Sequence, residues 1–158
     1  MKKLEFLIPP PIYLFIFIFI ILWASKTIPL SPHIDISPYK ELLLGSSILL
    51  FILGMILDLF SVFLFMNKKT TVNPLRPQRT EKMVVTGFYR YTRNPMYLGQ
   101  VFILVSIILW EGNFLLLPLI PIFMFLITTF QIKPEEKILL KKFGNEYKQY
   151  KQKVNRWL

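Results

Sequence analysis

Four long apolar runs dominate the chain, each too long and too continuous for an ordinary strand or surface helix of a soluble domain. They extend from about Ile8 to Trp23, from Leu42 to Met66, from Tyr97 to Trp110 and from Phe114 to Phe130. The composition agrees, with 54% hydrophobic and 18% charged residues among 158, whereas a soluble domain carries about a quarter charged. An all-α integral membrane protein with four transmembrane helices is therefore expected. The second run, 25 residues long, would reach ~37 Å as a helix and crosses a ~30 Å hydrocarbon core with tilt. Pro9, Pro10 and Pro11 can precede or begin a helix and so open the first span. Lys2 and Lys3 ahead of it, with Ala24-Ser25 as a weak cleavage site, resemble a signal peptide, but three further runs favour an uncleaved first span. Glu111-Gly112-Asn113 leaves room only for a tight turn, so the third and fourth spans should form an antiparallel hairpin. Pro118 and Pro121 are expected to kink the fourth.

The positions of Lys and Arg set the orientation. Seventeen of the nineteen lie before the first run, in 67–95, or after Phe130. The remaining two, Lys26 and Lys40, share the first loop with Asp35 and Glu41. By the positive-inside rule both termini and the 67–95 segment are cytoplasmic, a parity that four spans satisfy. The formal charge of +10 thus reads as attraction to anionic lipid, and a nucleic-acid partner is not expected despite the basic-aromatic string Phe88-Tyr89-Arg90-Tyr91. With no Cys and one His, disulfides, thiolate nucleophiles and a metal site built from imidazoles and thiolates are excluded.

The chemistry is concentrated in the two basic segments. Residues 67–95 form a 29-residue connection rich in Pro, Arg and Thr, a length that is uncommon without function. Gly87 permits positive φ or close backbone approach. Pro95 suits the first turn of the third span, whose amides then face Arg93 and Asn94 in a pocket suited to an anion. Arg90 and Tyr91 read as interfacial anchors. In the tail, Pro134 followed by Glu135 and Glu136 signals a helix start, the carboxylates serving either dipole capping or a ligand. Leu139, Phe143, Tyr147, Tyr150 and Val154 form an apolar stripe with Lys opposite, interrupted near Gly144-Asn145, where Asn145 would cap a second helix. These are cytoplasmic amphipathic helices that lie on the bilayer or over the mouth of the bundle. Asp58 is the ionisable group within a span, a functional candidate or a structural hydrogen-bonding group toward Ser61 or a neighbouring helix. His33, in the outer loop, reads as an unremarkable exposed side chain.

Thr86-Gly87-Phe88-Tyr89, Arg93-Asn94-Pro95-Met96-Tyr97-Leu98-Gly99, Pro134-Glu135-Glu136 and Phe143-Gly144-Asn145-Glu146-Tyr147 with Tyr150 follow one another at spacings that resemble the isoprenylcysteine carboxyl methyltransferase family, a relative of the phospholipid methyltransferases. The resemblance covers roughly 73–157, and the lead-in Asn73-Pro74-Leu75-Arg76-Pro77 and closing Val154-Asn155-Arg156-Trp157 look like its short prokaryotic branch. It implies one membrane methyltransferase domain over 1–158, in a prokaryotic inner membrane, binding S-adenosylmethionine in a cytoplasmic pocket. A lipophilic acceptor would enter from the bilayer. Family cofactor contacts carry over to Val84, Val85, Tyr89, Asn94, Pro95, Met96, Tyr97 and Glu135, with Arg93 and Gln131 as positioning residues. The family's Arg-His-Pro reads Arg93-Asn94-Pro95 here, and its substrate-side Arg falls on Gln131, so an acceptor carboxylate would lack its charge partner. A phospholipid or small-thiol acceptor is the nearest alternative. A transporter subunit would carry polar groups at mid-depth in several spans, where this chain has little besides Asp58.

Overall fold

The computed structural model describes residues 8–28, 36–67 and 83–158. The described residues form five helices: α1 (Pro10–Thr27), α2 (Lys40–Asn67), α3 (Pro95–Glu111), α4 (Leu119–Ile127) and α5 (Lys133–Lys153). Short 3-10 turns at Ser37–Tyr39, Gly87–Arg90 and Phe114–Leu116 punctuate them, and a π-helical turn at Thr128–Ile132 joins α4 to α5. Three stretches, Pro10–Thr27, Ser37–Leu64 and Phe114–Lys153, are long and apolar enough to cross a membrane, and Pro95–Glu111 is a shorter apolar helix. His33 and the segment from Lys68 to Lys82, with its Arg76 lead-in, lie outside the described residues.

The helices sort their ends into two groups. At one end, Ser25 Oγ donates to Glu111 Oε2 at 2.6 Å and Asn113 Nδ2 donates to the Ile28 carbonyl at 2.6 Å. Gly112 closes α3 there with φ +68, and a Cβ at that position would run into Ile36. At the other end, Gln131 Nε2 donates to the Ile8 carbonyl, and Gly87 packs on Phe60 and Leu64. The expected hairpin turn between the third and fourth spans is present, and the chain crosses the bundle four times.

α3 is the central helix, with ten of its residues buried. At 17 residues it reaches only ~25 Å, which its enclosed position tolerates because protein surrounds it. Leu104 and Ile108 of α3 meet Phe17 and Ile21 of α1 and Phe123 and Ile127 of α4 in one core. Phe17 and Phe123 pack edge to face there at 5.2 Å.

α2 joins this core through α3. Ser47, Gly54 and Ser61 recur every seven residues on its buried face, and Gly99 and Ser106 do the same on α3. A Cβ on Gly54 would stand 2.7 Å from the Gly99 carbonyl oxygen, and one on Gly99 would stand 2.7 Å from that of Gly54. Small residues at a seven-residue period allow two antiparallel helices to approach backbone to backbone, which favours association where lipid supplies no hydrophobic driving force.

One expectation is corrected. Pro118 and Pro121 do not kink the middle of a helix: Pro118 is the N-cap of α4 and Pro121 lies in its first turn, positions where a missing N–H costs nothing. Pro134 stands in the first turn of α5 with Glu135 and Glu136, as expected, although α5 does not begin as a separate helix. The chain runs on from α4 through the π turn, where the Lys133 amide bonds back five residues to the Thr128 carbonyl. That wider turn accommodates a ring that could not sit in a regular helix. The break near Gly144 is present, with φ 52 and ψ −119 inside α5.

Gly54→Ala and Gly99→Ala should each destabilise the fold by ~1–3 kcal/mol through overpacking at the α2–α3 contact. Gly45→Ala, whose Cβ meets nothing within 4 Å, should be neutral or stabilising by up to ~1 kcal/mol. Thermal unfolding of the three variants in detergent reads the difference.

Candidate active site

The loop ahead of α3 presses on the C-terminal end of α2. Gly87 has φ +62, and a Cβ there would lie 2.7 Å from the Phe60 ring, so both backbone geometry and space call for glycine. Phe88 packs edge-on against Phe60 at 5.1 Å. The following turn carries Tyr89 into the interior and leaves Arg90 and Tyr91 exposed, as anchors would be. Tyr150 Oη of α5 donates to the Tyr89 carbonyl at 2.7 Å.

Glu135 and Glu136 are adjacent on α5 but face different surroundings. Tyr97 Oη donates to Glu135 Oε1 at 2.7 Å. Burial pushes the Glu135 carboxyl up to about 8; the bond from Tyr97 opposes this and the neighbouring Glu136 charge adds to it. Glu136 instead collects cations. Arg93 reaches its Oε1 at 2.8 Å, Arg156 reaches Oε1 at 3.0 Å and Oε2 at 2.8 Å, and Lys151 Nζ lies 3.8 Å from Oε2. Burial alone would raise this carboxyl too, but the Arg156 bonds and then the charges of Arg93, Arg156 and Lys151 hold it below its ordinary 4.5.

The same contact straps the tail to the start of α3. The Arg93 amide donates to the Asn155 carbonyl at 3.0 Å, and Thr92 pairs with Asn155 in a parallel bridge. Thr92 Oγ1 and Asn94 Nδ2 both donate to the Arg156 carbonyl, at 3.2 and 2.9 Å. Arg93 also donates to the carbonyls of Lys151 and Val154. The anion expected beside Arg93 is thus Glu136 of the chain itself, and the Asn94 side-chain donor is committed to the tail.

Tyr89 stands between α2, α3 and α5. Its hydroxyl bonds with Ser61; burial, and then the charges of Glu135, Tyr150 and Asp58, push its ionisation far above the usual tyrosine value. Asp58 packs on Gly99, where a Cβ would stand 2.8 Å from Oδ1. Ser61 Oγ donates to the Leu57 carbonyl at 2.6 Å, so of the two partners open to Asp58 in the sequence, Ser61 is otherwise engaged. Asp58 Oδ1 is buried with no hydrogen-bond partner among the described residues.

Of the residues singled out in the sequence, Tyr89, Tyr97 and Glu135 come together at one end of the bundle. Val84 is buried and Val85 half-buried on the strand-like lead into Tyr89, and Pro95 and Met96 form the first turn of α3. Gln131 is fully buried in the π turn, its amide donating to Ile8 while its Oε1 has no partner among the described residues. Sequence reasoning missed the joining of Arg156 and Arg93 through Glu136, and the meeting of Ser61 with Tyr89. The closing Val154-Asn155-Arg156-Trp157 was the signal for the first, although nothing in it named Glu136. Together these groups make a buried aromatic and acidic cluster at one end of the bundle.

The family model for phospholipid methyltransferases matches residues 43–146. An uncharacterized protein of Haemophilus influenzae is 51% identical over 63 residues, which is 40% of this chain and 100% of that one. No solved structure matches.

Glu136→Ala should cost on the order of 3 kcal/mol, because it leaves the Arg93 guanidinium, 9% exposed, without its anion. Arg156→Ala should cost about 1 kcal/mol, since that side chain is 32% exposed and screened. The depressed Glu136 carboxyl stabilises the fold above 4.5, its ordinary value, and that contribution is lost as pH falls through its folded value. Thermal unfolding against pH, with limited proteolysis of the tail, measures all three effects.

Proposed function

The chain belongs to the phospholipid methyltransferase family, and on that premise we propose that it binds S-adenosylmethionine at the cytoplasmic end of the bundle and methylates a lipophilic or membrane-delivered acceptor. The supporting observation is the carboxyl of Glu135, held by Tyr97 at 2.7 Å beside the buried Tyr89. The residues fit a cationic donor. Glu135 is drawn neutral by burial in the absence of a positive charge, and a cation beside it would restore its ionised form. Tyr89 and Tyr97 offer ring faces, each worth ~0.5–2 kcal/mol toward a desolvated cation. Val84 and Val85 on the loop and Met96 at the start of α3 supply apolar wall.

When bound, S-adenosylmethionine supplies a methyl group on a sulfonium, ready for in-line displacement. The chain's own work is then alignment and exclusion of water, with little acid–base chemistry toward the donor. Arg93 acts through Glu136 and the tail as a positioning residue that fixes the start of α3, and with it Asn94 to Tyr97. Gln131 supports α1 through Ile8. Lacking charge there, the chain favours an acceptor that needs no cationic partner over a prenylcysteine carboxylate.

Calorimetry of the detergent-purified protein should show S-adenosylmethionine binding; a folded protein that does not bind would leave a non-enzymatic membrane protein as the reading. Because an empty-site Glu135 near 8 must ionise to meet a cation, affinity should rise about tenfold per pH unit below that value and level off above it. Proton release on binding should accompany it, seen as a dependence of the heat on buffer. Glu135→Gln should weaken binding roughly ten- to a hundredfold and flatten the pH dependence. An unchanged affinity in that variant would remove Glu135 from the site.

A further inference from the structure

Ser61 lies on α2, far in sequence from Tyr89, Tyr97 and Glu135, yet it is fully buried and touches the proposed donor site through Tyr89. The two hydroxyls form a chain of hydrogen bonds whose direction is fixed. Ser61 has one hydroxyl hydrogen, and the Leu57 carbonyl takes it at 2.6 Å. In its bond with Tyr89, Ser61 Oγ is therefore the acceptor and the Tyr89 hydroxyl the donor. Tyr150 Oη holds the same residue at its other end, donating to the Tyr89 carbonyl at 2.7 Å. Tyr89, itself buried, is thus anchored at both its backbone and its hydroxyl.

The direction matters because a hydroxyl is a dipole. With its hydrogen turned to α2, Tyr89 presents its oxygen lone pairs, the negative end, toward α3 and α5. Tyr97 is set the same way: its hydrogen goes to Glu135 Oε1 at 2.7 Å, and a phenol oxygen that donates still accepts. Both phenols therefore commit their hydrogens to protein acceptors. A fixed dipole aimed at a positive charge is worth more in a buried site than in water, and it needs no reorganisation when the ligand arrives. A neutral ligand in the same place gains little from it.

We infer that Ser61 is a positioning residue that sets the Tyr89 oxygen toward the sulfonium, so that the protein holds the charged donor more tightly than its uncharged product. The inference rests on the methyltransferase reading and adds to it the means by which the spent donor is let go. On transfer the bond from sulfur to the methyl carbon breaks, and its electron pair stays on sulfur. The methyl group passes to the acceptor, and the sulfonium becomes the neutral thioether of S-adenosylhomocysteine. Oxygens aimed at a cation then face a sulfur that carries lone pairs of its own, and the attraction is gone. Without Ser61, the Tyr89 hydroxyl would be free to turn its hydrogen to that sulfur and retain the product.

The test is calorimetry of the detergent-purified full chain with S-adenosylmethionine and, separately, S-adenosylhomocysteine, read as the ratio of the two dissociation constants. Wild type should favour the donor by about tenfold or more. Ser61→Ala should lower that preference about three- to tenfold, the worth of one directed hydrogen bond. Tyr89→Phe removes the oxygen and should lower it at least as much, and adding Ser61→Ala to it should lower it no further. Ser61→Thr keeps the hydroxyl and should keep the wild-type ratio. A residue needed only for packing would weaken both ligands alike, so an unchanged ratio in Ser61→Ala overturns the inference. A further fall in the double variant, or a folded Ser61→Thr that behaves as Ser61→Ala does, overturns it too. Thermal unfolding reports which variants fold; if Ser61→Ala does not, an unchanged ratio in Tyr89→Phe overturns the inference alone. Wild type that binds neither ligand is a different result, which ends the methyltransferase reading, whereas equal affinity for the two ends only this inference.

Discussion

The rest of the structure depends on the backbone contact between α2 and α3 at Gly54 and Gly99. In lipid, two helices gain nothing from hiding apolar surface, so they associate where their backbones can come close enough for dense van der Waals contact. Each glycine here would place a Cβ 2.7 Å from the other's carbonyl oxygen. This contact brings Asp58 against Gly99 and sets Ser61 beside Tyr89. One turn further along, the Phe60 and Leu64 side chains receive the loop at Gly87. The seven-residue recurrence of small residues that lets the helices touch therefore also fixes where the reactive side chains stand.

The second organising feature is the separation of tasks between two consecutive carboxylates. Residues one apart on a helix point about 100° away from each other, so Glu135 and Glu136 cannot share an environment. Glu136 faces Arg93 and Arg156 and locks the tail across the start of α3. Glu135 faces Tyr97, with no cation bonded to it among the described residues. Opposite displacements of their carboxyl groups from the ordinary range follow from that difference alone. The π turn at Thr128–Ile132 carries the helix out of the membrane past Pro134 without a break, which keeps both carboxylates rigidly tied to the bundle.

Both features explain why the candidate site is built from segments far apart in the chain. The loop supplies Tyr89, α3 supplies Tyr97, α5 supplies Glu135, and α2 supplies Ser61 and Asp58. Polar groups within the membrane half are few and enclosed between helices, as the cost of exposing them to lipid requires.

Periodicity and composition are local properties, and what they control was readable from the amino-acid string. The four apolar runs, the turn at Gly112, the positive φ at Gly87 and the break at Gly144 each depend on a few neighbouring residues. Pairings across the bundle were not readable. Asn94 and Arg93 looked like an anion pocket until the tail was seen to fill it, and nothing in the sequence signalled the bond from the Gln131 amide to Ile8. Asp58 could have bonded to Ser61 one turn away, and only the helix packing left its Oδ1 without a partner among the described residues. A hydrogen bond or ion pair between residues forty to a hundred and twenty positions apart depends on how whole helices dock, and that docking is set by the fit of their surfaces rather than by any local pattern.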